Sequence, residues 1–167
     1  LEAQQLATAP SATVAERATR LRVDIDEAAA DVRALVRDLV PAALIERGLA
    51  AAAEDLADRM PIPTQFESDV EDDAIGDLVG ATTYFVLTEA LANVVKHAHA
   101  KLARVRLAVQ GDRVHLDVED DGVGGASMGA GSGLRGLADR VEAIGGTISI
   151  SSPRGRGTRV RAEVPCA

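Results

Sequence analysis

The reading of this chain turns on residues 88–124, TEALANVVKHAHAKLARVRLAVQGDRVHLDVEDDGVG, where the apolar period changes from that of a helix to that of a strand. Over the first part, a step of about 100° per residue puts Glu89, Asn93, Lys96 and His97 on one stripe. Leu87, Leu91, Val94, Val95 and Ala98 then occupy roughly the opposite side. From Arg104 the period is two: Val105, Leu107 and Val109 alternate with Arg104, Arg106, Ala108 and Gln110. Gly111-Asp112 turns the chain, and Val114, Leu116 and Val118 alternate with His115, Asp117 and Glu119. This is a hairpin with one buried and one exposed face, ending in Asp120-Asp121-Gly122-Val123-Gly124.

Working outward, the helix that ends this way should begin near Ile75, after the acidic turn Glu71-Asp72-Asp73. Pro61 and Pro63 precede an extended segment, Ile62 to Val70, read as a first strand. Leu49 to Arg59 reads as a helix, set off by Pro41 and Gly48. Downstream, a glycine-rich loop opens a helix from about Leu134 to Ile144, stopped by Gly145-Gly146. A second hairpin, Thr147 to Ser151 and Thr158 to Val164, is joined by Pro-Arg-Gly-Arg-Gly. Helices on one face of a mostly antiparallel sheet make an α+β, two-layer domain.

Before Pro41 the pattern is different. Val14, Ala18, Leu21, Ile25, Ala28, Val32, Leu35 and Leu39 step by four and three, a heptad seam flanked by Asp, Glu and Arg. A helix packed on its own domain usually shows a wider stripe, so the narrow seam favours a coiled coil or bundle. At about 1.5 Å per residue the rod is on the order of 40 Å long. Pro10 should break the chain before it, leaving Leu1 to Thr8 as the tail of an earlier helix. The expected division is residues 1–40, helical, and residues 41–167, one globular domain.

Composition narrows the function classes. A formal net charge of −8 argues against nucleic acid as a main partner, despite four arginines between Arg154 and Arg161. Phe66, Tyr84 and Phe85 are the only aromatic residues, which leaves little for base stacking. The lone Cys166 cannot form an internal disulfide and fits a reducing, cytoplasmic setting, although a longer parent protein with a membrane anchor is compatible with it. No stretch of about 18 uninterrupted apolar residues suggests a membrane span.

Four segments carry chemistry, each with a plainer reading beside it. The stripe of Glu89, Asn93, Lys96 and His97 offers a carboxylate, an amide oxygen and cations suited to a magnesium nucleotide; alone, it reads rather as a solvated helix face. Asp120 at a strand end, followed by glycines, can accept a hydrogen bond from a buried base; alone, it is equally an ordinary Asp-Gly turn. Gly131-Ser132-Gly133-Leu134-Arg135-Gly136 opens a helix and exposes backbone N–H groups to an anion. Preceded by an antiparallel hairpin, it is not a dinucleotide fingerprint. Gly155-Arg156-Gly157-Thr158 is either a hairpin turn or a phosphate contact.

Taken in order and spacing, these four segments resemble the N, G1, G2 and G3 boxes of the ATP-binding domain of sensor histidine kinases, over roughly residues 42–167. EALANVVKHAHA, DDGVG, GSGLRGLADRVEAIGG and GRGT are closest to the subgroup that pairs with NarL-type response regulators, and Gly125 to Ala130 matches its short ATP lid. DVRALVRDLVPAALIERGLAAA is similar to the second dimerisation helix and the entry to the catalytic domain. The resemblance implies a Bergerat-type two-layer α/β sandwich with a mixed, mostly antiparallel sheet. It also implies ATP and Mg²⁺ as cofactors, a homodimer through the rod, and a NarL-type response regulator as partner.

Position by position, the resemblance assigns Mg²⁺ to Asn93 and positioning of the metal or a water, or proton removal, to Glu89. Lys96 and His97 fall near the phosphates or ribose, Asp120 receives the adenine amino group, and Gly122 and Gly124 line the base pocket. Gly131, Gly133, Leu134 and Gly136 shape the lid and phosphate cradle, and Thr158 closes the adenine side. Arg135 and Arg140 read as surface or helix residues, although Arg135 could reach a phosphate. One departure matters: none of His97, His99 and His115 has the setting of the family's phosphate acceptor, so the chain is expected to begin just after that histidine. Rival readings are an ATPase of the gyrase, Hsp90 and MutL type, a nucleotide-sensing module without catalysis, and a relative of the anti-sigma kinases, which normally lack such a rod.

Overall fold

The computed structural model describes residues 41–70, 75–126 and 133–166; the heptad seam, the acidic turn and Gly131 lie outside the described residues. Helix α1, Ala42–Asp58, begins directly after Pro41, earlier than the sequence suggests, and carries a break at Gly48 (φ 80°, ψ 179°). The sequence signal at Gly48 therefore marks an interruption within the element. Strand β1 is Thr64–Asp69, and α2, Asp77–Asn93, continues into a π-helical turn, Val94–Ala98. The hairpin is β2, Ala103–Gln110, and β3, Arg113–Asp120. Helix α3, Gly133–Ala143, precedes β4, Thr147–Ser151, and β5, Arg159–Pro165.

The five strands form one sheet in the order β1-β2-β3-β5-β4. β1 runs parallel to β2, and every other pair is antiparallel. The sheet is thus mixed and mostly antiparallel, as the motifs imply. Alternation along β2, β3 and β5 sends Val105, Leu107, Val114, Leu116, Val118, Val160, Ala162 and Val164 inward. They meet Val86, Leu87, Ala90 and Leu91 of α2, Leu49, Ala52 and Ala53 of α1, and Leu137 and Val141 of α3 in one core. Each fully buried Val or Leu in such a layer contributes roughly 1.5–3 kcal/mol of apolar transfer. With so few aromatic residues, close helix–sheet packing rests on alanine and branched aliphatic side chains.

α2 with its π-helical extension is long and apolar enough to cross a membrane by length and composition, yet most of that window is buried inside this domain. Its apolarity is that of a core helix covered on most sides.

The opposite face of the sheet is polar. Arg159 and Arg161 on β5 both donate to Asp117 on β3, Arg106 on β2 to Glu67 on β1, and Arg104 to Gln65. Burial pushes the Asp117 carboxyl up, but the hydrogen bonds and charges of Arg159 and Arg161 outweigh it and hold the group below the ordinary carboxylate value.

Candidate nucleotide-binding site

The end of α2 is where helical bookkeeping at 3.6 residues per turn fails. The π-helical turn takes an extra residue into one turn, and such turns concentrate at functional sites. Val94 and Ala98 stay buried against Ala103, beside Ile62 and Ala100. Between them Val95, Lys96 and His97 are all exposed. Val95, placed on the apolar side by its spacing, is therefore 49% exposed, because the wider turn swings it out of the core. His99 closes the turn in the left-handed region at φ 51°, unusual for a residue with a side chain.

The helix end is sewn to the loop after β3. The Val123 N–H donates to the Ala98 carbonyl at 2.8 Å, satisfying an acceptor that the helix end leaves free. A Cβ at Gly122 would lie 2.2 Å from that same carbonyl oxygen, so only glycine lets the loop pass. Asp121 adds a second stitch: its Oδ1 accepts the N–H groups of Lys101 (2.7 Å) and Leu102 (3.0 Å). Those bonds, Leu102 first, hold its carboxyl below the ordinary range.

The second glycine segment locks onto the first. The Gly157 N–H donates to the Gly122 carbonyl at 2.9 Å, and the Gly155 N–H to the Val123 carbonyl at 2.7 Å. Gly157 sits at φ +71°, and a Cβ there would fall 1.8 Å from the Asp120 carbonyl oxygen. A Cβ at Gly124 would similarly fall 2.2 Å from the Pro153 carbonyl oxygen. Gly122, Gly124 and Gly157 are thus required by backbone-to-backbone contact, a reason the base-pocket reading does not supply.

Asp120 stands at the centre of the junction. It is 6% exposed, the single charged residue in the core among the described residues, and its Oδ1 accepts the Gly122 N–H at 2.8 Å. Its own N–H donates to the Thr158 carbonyl. Inward residues Val118 and Val160 are cross-strand partners, so two residues further on Asp120 and Thr158 share that inner face. The Thr158 hydroxyl lies 2.9 Å from the Ser152 hydroxyl, which also accepts the Ala126 N–H.

Glu89 and Gly136 line a second part of the region, a cleft of about 230 Å³ between α2 and α3 with Phe85, Thr88, Leu137 and Arg140. A Cβ at Gly136 would meet nothing within 4 Å, so no packing inside the protein calls for glycine there. Arg140 lies 5.8 Å above the centroid of the Phe85 ring and joins Glu89 in lining the cleft. No acidic residue occupies the first turn of α3, so no carboxylate of that turn opposes an anion at the positive helix end. Among the described residues no group of three His, Cys, Asp or Glu side chains is placed to hold a metal by itself.

The structure therefore brings Asp120, Gly122, Gly124 and Thr158 into one junction, ties the helix end carrying Asn93, Lys96 and His97 to it, and sets Glu89 and Gly136 on a common cleft. Helix α3 starts at Gly133, just before Leu134. The sequence reading missed Ser152, Asp121 and the place of Arg140 on the cleft. Counting strand rungs would have found Ser152; the other two depend on tertiary packing that no motif encodes.

A two-layer domain with a buried carboxylate at one sheet end, flanked by interlocked glycine turns and a polar helix stripe, defines a nucleotide-binding class of protein. The family model described as histidine kinase-, DNA gyrase B- and HSP90-like ATPase matches residues 80–167, and the chain belongs to that family. Similar proteins include the sensor histidine kinase LiaS of Bacillus subtilis, 32% identical over 83% of this chain and 40% of that protein. The sensor histidine kinase NarS of Mycobacterium tuberculosis is 35% identical over 90% of this chain and 37% of its own length. The signal transduction histidine-protein kinase/phosphatase UhpB of Salmonella typhimurium is 34% identical over 80% and 28%. This chain thus spans well under half the length of the curated relatives it matches. The fold is shared with the ATP-binding domain of PrrB from Mycobacterium tuberculosis (TM-score 0.54, 23% identity, 71% of this chain and 91% of that one). It is shared equally with the histidine kinase domain of the blue-light activated kinase of Erythrobacter litoralis (TM-score 0.54, 23% identity, 70% and 57%).

Proposed function

We propose that this chain is the ATP-binding catalytic part of a cytoplasmic sensor histidine kinase that relays phosphate to a NarL-type response regulator. The observation that supports it most is the buried Asp120 carboxylate, locked in place by two glycine turns and joined through Val123 and Ala98 to the helix end that bears Asn93. A carboxylate at such a sheet end is placed to accept an amino group of a purine.

Asn93 would hold Mg²⁺ together with the nucleotide's own phosphates, a donor set that suits this ion because it keeps several waters and needs few protein ligands. When bound, the ion supplies neutralisation of phosphate charge. Lys96 and His97, both exposed on the same helix end, would bind the phosphate or ribose groups. Gly133, Leu134 and Gly136 open α3 toward the phosphate end, where a glycine with empty space above its Cα admits the ligand. The reaction breaks the bond between the γ-phosphorus and the β,γ-bridging oxygen and forms a bond from that phosphorus to an imidazole nitrogen. ADP leaves, and the imidazole proton passes to a base, for which Glu89 on the cleft wall is the candidate.

The acceptor is a histidine outside this chain's three. His97 belongs to the helix end, His99 to its left-handed cap, and His115 lies 3.8 Å from Glu163 on the polar sheet face. Calorimetric titration with the non-hydrolysable analogues of ATP and GTP tests the reading. Wild type should prefer the adenine analogue, and Asp120→Asn should erase the preference. Equal affinity in wild type, or sustained hydrolysis of ATP by the chain alone, would reject the kinase assignment.

A further inference from the structure

The sheet register places three polar residues in one transverse row. Asp120 closes β3, Thr158 faces it across the β3–β5 pair, and Ser152 stands next to Thr158 because Ser151 pairs with Arg159. Ser152 uses both its oxygens. Its carbonyl accepts the Gly125 N–H at 2.9 Å, and its hydroxyl accepts the Ala126 N–H at 2.9 Å while touching the Thr158 hydroxyl at 2.9 Å. A hydroxyl has one proton and two lone pairs. With one lone pair taken by the Ala126 N–H, the Ser152 hydroxyl keeps its proton and a second lone pair, and either hydroxyl of the Ser152–Thr158 pair can be the donor.

We propose that Ser152 is a specificity-determining positioning residue of the nucleotide site. By donating to Thr158 it commits the Thr158 proton to the ligand, so the row presents an acceptor, Asp120, beside a donor, Thr158. Adenine offers the complementary edge, an amino donor beside an unprotonated ring nitrogen. Guanine offers the reverse, a carbonyl acceptor beside a ring N–H. Without Ser152 the Thr158 hydroxyl is free to rotate and to accept that N–H, and the distinction between the bases shrinks. This rests on the nucleotide reading above and names what sets its base preference besides Asp120.

The experiment compares affinities for the imido analogues of ATP and GTP in wild type, Ser152→Ala, Ser152→Thr, Thr158→Val and the Ser152→Ala/Thr158→Val double variant. Ser152→Ala should reduce the adenine-to-guanine affinity ratio about five- to tenfold, the scale of one reoriented hydrogen bond. Ser152→Thr should restore the ratio, and Ser152→Ala should change nothing further once Thr158 is Val. A purely structural role would weaken both nucleotides alike; an unchanged ratio in Ser152→Ala, or independent effects in the double variant, overturns the proposal. Absence of binding in wild type would instead remove the nucleotide reading itself, while Asp120→Asn separately reports on the carboxylate.

Discussion

Two glycines separate the demands of folding from those of a ligand. At Gly157 any side chain meets both a positive φ of +71° and the Asp120 carbonyl at 1.8 Å, a backbone atom that cannot step aside. Gly157→Ala should therefore destabilise the domain by about 2–4 kcal/mol, since both strain and collision must be relieved. Urea denaturation would show it, and an unchanged midpoint would mean that the two loops do not interlock. Gly136, inside α3 with open space above it, should behave in the opposite way. Gly136→Ala gains helix propensity of about 0.8–1 kcal/mol and should raise the melting temperature. It should weaken binding of the ATP analogue about tenfold if phosphate approaches that backbone, a loss of the order of 1.4 kcal/mol. Asn93→Ala should leave stability intact and remove the gain in nucleotide affinity on adding Mg²⁺, read by titrations with and without the ion; persistence of that gain would displace the metal from Asn93. At this scale the motifs single out the glycines but not the reason each is needed. Gly122, Gly124, Gly136 and Gly157 look alike in a motif, and only the backbone around each tells collision from open space.

The elements were more legible than the residues. Period-two alternation located β2 and β3 to within two residues, because one face of the sheet is covered by helices and the other by water. The π-helical turn was not legible: TEALANVVKHA is compatible with an uninterrupted α-helix, and the extra residue is fixed by burial of Val94 and Ala98 together with the bond from Val123. The parallel pairing of β1 with β2 was likewise hidden, since its register depends on a contact between distant segments. On the polar face, the Asp117 pair with Arg159 and Arg161 links β3 to β5 and carries a pH signature. Its folded carboxyl titrates below the unfolded value, near 3.9, so its stabilisation is complete above that pH and fades as pH falls through the folded value. Asp117→Asn should cost about 0.5–1 kcal/mol at pH 7, modest because Arg161 is exposed and Arg159 partly so. As pH falls below about 4 the difference from wild type should begin to narrow, and it should close only once pH has passed the lowered folded value and the wild-type carboxyl is neutral too. Urea midpoints for both proteins from pH 7 downward decide the matter, and a gap that does not narrow at all as pH falls below about 4 would assign it to packing rather than charge.

At the scale of the whole molecule, the core and the candidate site both lie within a compact unit, Pro41–Ala167. α1 supplies Leu49, Ala52 and Ala53 to that core, so the described unit contains its own helical layer. We propose that the heptad seam before Pro41 serves subunit pairing alone, with Leu21 and Ile25 in the apolar row. Two measurements then become independent. A chain beginning at Pro41 should bind the ATP analogue with a dissociation constant within about threefold of the longer chain, since less than about 0.7 kcal/mol separates them if no ligand contact is lost. Replacement of Leu21 and Ile25 by Lys in the full chain should place two charges on the seam and convert dimers to monomers in sedimentation, with nucleotide affinity unchanged. A nucleotide affinity that falls with the dimer would mean that the site draws on the rod or on the second subunit. An unaltered sedimenting mass would mean that the seam packs elsewhere.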